Sequence, residues 1–200
     1  MKLKSLLVLT MVAGAIIANA APINFTLGKG SPAMQIAQVE SVADFETFTG
    51  RSHKVSGNVS FDPTKKTGSA KVVIDAASVS TGIDLRDEHM RSAQWLDTDK
   101  YKTIEFVTTK VQHVTGDDYK VTGKFTMHGV TKTITVNATV KYMKASSATQ
   151  NAGLKGDVVQ VKTSFKVNLS DYKVMVPAQA KSKVSNTVTI SLTVFGQSGA

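Results

Sequence analysis

Between Ser80 and Phe106 the chain reads STGIDLRDEHMRSAQWLDTDKYKTIEF and gathers most of the residue types that do chemistry. Arg86, Arg91, His89, the single tryptophan Trp95 and six of the 15 acidic residues lie there. Such a cluster could be a metal site, an acid/base active site or a charged structural corner. A metal site needs several donors to converge. His89 has no second His at helical spacing, His53, His113 and His128 fall on separate strands or turns, and the chain has no Cys. Asp87 and Glu88 are adjacent, so on a helix they point different ways, which suits solvation better than shared acid/base work. No serine sits in a Gly-x-Ser-x-Gly elbow, and no glycine-rich phosphate loop is present. No catalytic residue and no metal ligand is therefore assigned.

What positions the cluster is a change of period. From Asp84 to Leu96 the alternation typical of the chain stops, and the Ala, Met, Gln, Glu and Arg content there favours a helical turn. Thr81 or Asp84 could cap its start, and Asp87 and Arg91 fall at i,i+4 on one face as an ion pair. Met90 and Trp95 would seal the end of whatever lies beneath.

Nearly everything else alternates with period two. Val55, Gly57, Val59 and Phe61 share one face, as do Tyr119, Val121, Gly123, Phe125 and Met127. Ile134, Val136, Ala138, Val140 and Tyr142 form a third such face, and Val184 through Val194 a fourth. Similar runs occupy roughly 68–76, 103–112 and 157–168, with weaker ones over 23–28 and 34–49. Turn signals at Asp62-Pro63, Gly116-Asp117-Asp118 and His128-Gly129 separate them. About eight antiparallel strands, each with one dry face, predict an all-β meandering barrel with a short helix closing one end. Aromatic content is 6% with one Trp, too little for the aromatic girdles of a membrane barrel, so the apolar faces should point inward. Gly57, Gly123 and Ala138 on those faces leave open a tube-shaped cavity or a packed core.

The first 20 residues read as a signal peptide. Lys2 and Lys4 precede an apolar run from Leu6 to Ile17, and Ala18-Asn19-Ala20 is a small-x-small cleavage site. One domain over 21–200 and a periplasmic product are expected. The formal net charge is +9, and loss of Lys2 and Lys4 leaves the remainder basic. The lysines are scattered rather than clustered, so nucleic acid is not an expected partner, whereas transient contact with an anionic membrane surface is.

Three motifs carry a resemblance. Ser80-Thr81-Gly82, Leu85-Arg86-Asp87-x-His89-Met90-Arg91 and Trp95 through Tyr101 resemble the first signature of the YceI-like family. Gly123 through Lys132 resembles its second, and Phe165 with Leu169-Ser170-Asp171-Tyr172 its third. The resemblance implies a lipocalin-like barrel, exported, that holds a polyisoprenoid or other long-chain amphipathic lipid, with no metal and no cofactor beyond a bound isoprenoid lipid or isoprenoid quinone. The charged stretch would be the family's corner, in which Arg86, Asp87, His89 and Arg91 act structurally or meet a ligand head group. The lining is expected from Val121, Phe125, Met127, Ile134, Val136, Phe165, Ile190 and Leu192, with Trp95 at one end. A fatty-acid-derived lipid is the related ligand class. Alternatives are a lipid- or quinone-modifying enzyme using His89 or His128, and a filled barrel that binds a protein. The chain departs from the family after Tyr172, where KVMVPAQAKSKVSN makes a long connection fit to form a lid, and follows it loosely over 22–51. The lid and edge strands are where a homodimer would form.

Overall fold

Alternation of Val, Thr, Lys and Phe is what a half-buried strand requires, and the computed structural model, which describes residues 21–199, is built almost entirely from such strands. They are β1 (Ile23–Leu27), β2 (Ile36–Val42), β3 (Thr47–Ser52), β4 (Val55–Asp62), β5 (Thr67–Asp75), β6 (Thr103–Thr115), β7 (Asp118–Met127), β8 (Val130–Met143), β9 (Val158–Asn168) and β10 (Thr187–Gln197). Two short helices interrupt them, α1 (Asp84–Arg91) and α2 (Ser147–Asn151).

Every pairing is antiparallel, and the sheet closes. β4 to β10 form a meander in sequence order. β10 then meets β1 near its end, Gln197 opposite Thr26, and β2 near its start, Val188 opposite Ser41. β4 in turn pairs with β1, and β3 with β2. β1 with β2, and β3 with β4, are thus each one stave broken in the middle, and the ten segments make the expected eight-stranded antiparallel barrel. Closure pairs most strand edges, but β5 and β6 separate beyond Lys71 and Val107, which leaves the second half of β6 unpaired on that side.

Three sequence expectations shift. The run read over 34–49 is two strands, because residues 43–46 form the β2–β3 turn, closed by Ala43 N donating to Glu46 O at 2.9 Å. The last strand begins at Thr187, not Val184. The helix ends at Arg91 and starts on Ile83 without a side-chain cap; Thr81 and Asp84 do not serve there. The proposed signal peptide, residues 1–20, lies outside the described residues.

The core has two parts. Toward one end Phe25, Phe61, Tyr119, Val159 and Val194 fill the interior, with Phe61 and Tyr119 in edge contact at 5.9 Å between ring centres. Toward the other end Phe125, Met127, Leu169, Tyr172, Val174 and Val188 cluster beneath α1 and the 173–186 connection. Asp157 secures the filled end, accepting from the Tyr142 hydroxyl at 2.6 Å and from Ala145 N at 2.9 Å. These bonds hold its carboxyl below the usual carboxylate range, while burial and Asp157 push the Tyr142 phenol up to about 12.

Candidate ligand-binding chamber

The corner is organised around one buried carboxylate. Asp87 is 3% exposed and accepts three hydrogen bonds: from Ser80 Oγ at 2.5 Å, Thr81 Oγ1 at 2.6 Å and Thr81 N at 2.8 Å. Burial alone would raise its pKa, but these donors and nearby Arg91 hold it below the ordinary value. Ser80 also bridges to Arg51 by paired backbone bonds of 2.8 and 2.9 Å, so Asp87 pins α1 to the rim of β3. Arg91 completes the anchor by donating from Nε to Ala77 O at 2.8 Å. The ion pair expected between Asp87 and Arg91 does not form. Ser80 and Thr81 are the direct partners of the carboxylate, and Arg91, its Nε directed to Ala77 O, acts on Asp87 only through its nearby charge.

Arg86 faces the other way. Its Nε donates to Thr81 Oγ1 at 2.9 Å, its Nη1 pairs with Glu46, and its guanidinium lies 4.4 Å from the centre of the Phe48 ring. That clamp ties α1 to the β2–β3 turn and stands on the wall of a chamber.

The chamber has a volume of about 570 Å³, within the range of small-molecule sites. Val39, Ile104, Met127, Val188 and Ile190 supply its barrel wall, Met90, Trp95 and Leu96 the corner wall. The 173–186 connection contributes Val174, Ala180, Lys183 and Val184, so it roofs one side. Phe45 N donates to Ser182 O at 2.9 Å and Ser185 N to Ser41 Oγ at 3.0 Å, which fastens that roof to the β2–β3 hairpin. Polar groups are few: Gln38, Ser41, Glu46, Arg86, His89 and Lys183. A second, smaller cavity of about 100 Å³ lies farther along the barrel, lined by Val121, Phe125, Val136, Phe165, Ile190 and Leu192 among others, and reaches Gly68, Ser69 and Thr108 where β5 and β6 separate.

The structure therefore divides the expected lining. Met127, Ile190 and Trp95 line the large chamber, while Val121, Phe125, Val136, Phe165 and Leu192 line only the small cavity. Ile134 lines neither and packs into both halves of the core. Of the polar cluster, Arg86 and His89 reach the chamber, and Asp87 and Arg91 lie behind it. His128 is at another corner, its Nδ1 3.0 Å from Tyr172 O and its ring 4.6 Å from that of Tyr101. Val39, Ile74, Leu96, Ile104, Val174 and Val184 were not anticipated as lining. For Ile74, Ile104 and Val184 the signal was present in the alternation; for Val174 it was not, because its segment is irregular.

Of the small inward residues, Ala138 lines the small cavity, but Gly57 and Gly123 do not make space. A Cβ on Gly123 would stand 2.5 Å from Phe106 Cζ, so that ring already fills the notch. Gly57 has φ of +135° and a Cβ there would meet Lys71 O at 2.0 Å; it marks a close strand crossing. Among the described residues no group of three or more His, Cys, Asp or Glu is placed to hold a metal ion.

Comparison with known proteins agrees with this geometry. The sequence pattern that defines the YceI-like domain matches residues 24–195. UPF0312 proteins of Vibrio cholerae and Shewanella baltica are 39% and 34% identical to this chain over 95 residues. Those matches cover 47% of this chain and 50% of each relative, so the chain spans about half the length of the curated relatives it matches. Among solved structures, Burkholderia cenocepacia BcnA superposes with a TM-score of 0.70 at 25% identity, covering 84% of this chain and 99% of that one. A polyisoprenoid binding domain from Saccharophagus degradans superposes with a TM-score of 0.66 at 20% identity, over 88% and 99%.

Proposed function

This chain belongs to the YceI-like domain family, and from that premise we propose that it is an exported carrier, working in the periplasm, that holds one long-chain isoprenoid lipid or isoprenoid quinone in the chamber beneath α1. The observation that carries this reading is the chamber itself: about 570 Å³ of space walled by hydrocarbon and edged by a few polar groups. Burial of a chain there is worth roughly 0.8 kcal/mol per CH₂, so affinity can come from length without a dense set of polar contacts. The name of the Saccharophagus degradans neighbour supplies the lipid class to test first.

A carrier is favoured over a lipid-modifying enzyme by the surroundings of the two histidines. His128 is engaged with Tyr172 and Tyr101 away from the chamber. His89 reaches the chamber wall, yet among the described residues no carboxylate or hydroxyl is hydrogen-bonded to its ring to tune it as a base. His89 and Arg86 instead suit the polar end of an amphiphile. Loading requires access to a membrane, and the exposed apolar side chains Ile83 and Leu85 on the chamber wall support transient contact with a bilayer surface.

Native mass spectrometry of the protein purified without detergent from its own host, followed by organic extraction, tests the reading. One stoichiometric long-chain species is expected. A clean apo mass that stays unchanged after incubation with isoprenoid quinones and fatty amides would overturn it in favour of a protein-binding barrel.

A further inference from the structure

The large chamber and the small cavity are neighbours in one barrel, and what divides them is specific. Ile74, Ile104 and Ile190 line both spaces, whereas Phe106, Phe125 and Phe165 line only the deeper one. The strand register gathers these side chains at one level of the barrel. Ile74 stands opposite Ile104, Phe106 opposite Phe125, and Phe165 opposite Ile190. Phe125 and Phe165 meet edge to face with ring centres 5.6 Å apart, and Phe125 is braced from behind by Tyr172 at 5.4 Å. Phe106 is held by a different device: its ring tip occupies the notch that Gly123 leaves.

We propose that these six side chains form a floor that limits the length of hydrocarbon the protein accepts. The inference rests on the carrier reading above and adds a specificity rule to it. A methylene takes up roughly the volume of a water molecule, about 30 Å³, so the chamber above the floor holds on the order of twenty carbons. Below the floor about 100 Å³ remains, too little to hold a comparable second length. Interiors of this kind are close-packed and yield to added volume only at a cost. A longer chain therefore leaves its excess outside the mouth, where it gains nothing from burial.

The test is a ladder of isoprenoid alcohols, farnesol, geranylgeraniol and solanesol, titrated into the delipidated protein by displacement of a fluorescent fatty-acid probe. With a floor, affinity rises by about tenfold or more from farnesol to geranylgeraniol and then changes by less than about twofold to solanesol. Phe106→Leu opens the floor beside Gly123 and should restore a gain of about tenfold for solanesol over geranylgeraniol. Ile190→Phe raises the floor and should move the plateau down to farnesol, which keeps the idea testable if the first variant folds poorly. An affinity that climbs steadily to solanesol in the unaltered protein would overturn the floor while leaving the carrier intact. A plateau that neither variant moves, in protein with an unchanged near-ultraviolet spectrum, would overturn it as well. Failure of all three alcohols and of the probe to bind would refute the carrier reading, and the floor with it.

Discussion

A carboxylate that is 3% exposed and takes three hydrogen bonds is costly to disturb, because its partners would be left unsatisfied in the same small volume. Asp87→Asn keeps the size but replaces one acceptor oxygen with a donor, and should lower unfolding free energy by about 1–3 kcal/mol in urea titrations at neutral pH. The pH dependence has a definite sign. The folded carboxyl titrates below its ordinary value of 3.8, so its contribution is complete above that value and is lost as the pH falls through the lower folded one. The unaltered protein should therefore lose stability more steeply than Asp87→Asn below about pH 4; parallel acid limbs would show that Asp87 is not the anchor. Glycine makes the opposite point about single residues. Gly123 sits on an apolar strand face and invites the idea of empty space, yet the Phe106 ring fills it, so Gly123→Ala should cost about 1–3 kcal/mol by overpacking. A sequence shows that a side chain is missing but not which neighbour has taken its place.

At the scale of elements, the strands were legible because antiparallel alternation encodes both period and face, and β7, β8 and β9 fall where their patterns put them. The β2–β3 turn was not, for a specific reason. Large apolar residues keep recurring through it, at Val42, Phe45 and Phe48, and no Gly or Pro marks the reversal. The 173–186 connection was recognised as a departure, but the contacts of Val174 are long-range and its segment irregular, so nothing local foretold that it would be 1% exposed. This element gives a test of the roof. Val184→Asp places a carboxylate on an apolar wall and should weaken lipid binding by about tenfold or more. Because Val184 lies outside the strands, the melting temperature should change little. Equal affinities for the two proteins would mean that the connection does not cover the bound lipid.

Across the whole molecule, seven large apolar side chains are exposed among the described residues: Val107, Val114 and Met175 lie off the chamber wall, and the other four lie on it or beside it in sequence. Val42, Phe45, Ile83 and Leu85 are 59%, 85%, 52% and 62% exposed. Ile83 and Leu85 line the chamber, while Val42 and Phe45 neighbour its wall residues Ser41 and Glu46. Apolar groups gathered at the entrance of an apolar cavity mark an interaction surface more than isolated exposure does. Two routes could load the chamber: lipid could cross water as a monomer, or the rim could enter the interface and take lipid directly. They differ in what the rim residues affect. If monomers cross water, Phe45→Ser with Leu85→Ser leaves transfer between vesicles unchanged. If the rim inserts, each replaced side chain removes roughly 1.5–3 kcal/mol of interfacial burial. Transfer of a fluorescent isoprenoid between vesicles should then slow by about tenfold or more. Phe45 lies outside the chamber wall and Leu85 is a mouth residue, so the equilibrium affinity measured in solution should move far less than the rate. A rate and an affinity that fall together would instead place these side chains against the bound chain, and a rate that does not fall would exclude the rim as the point of entry.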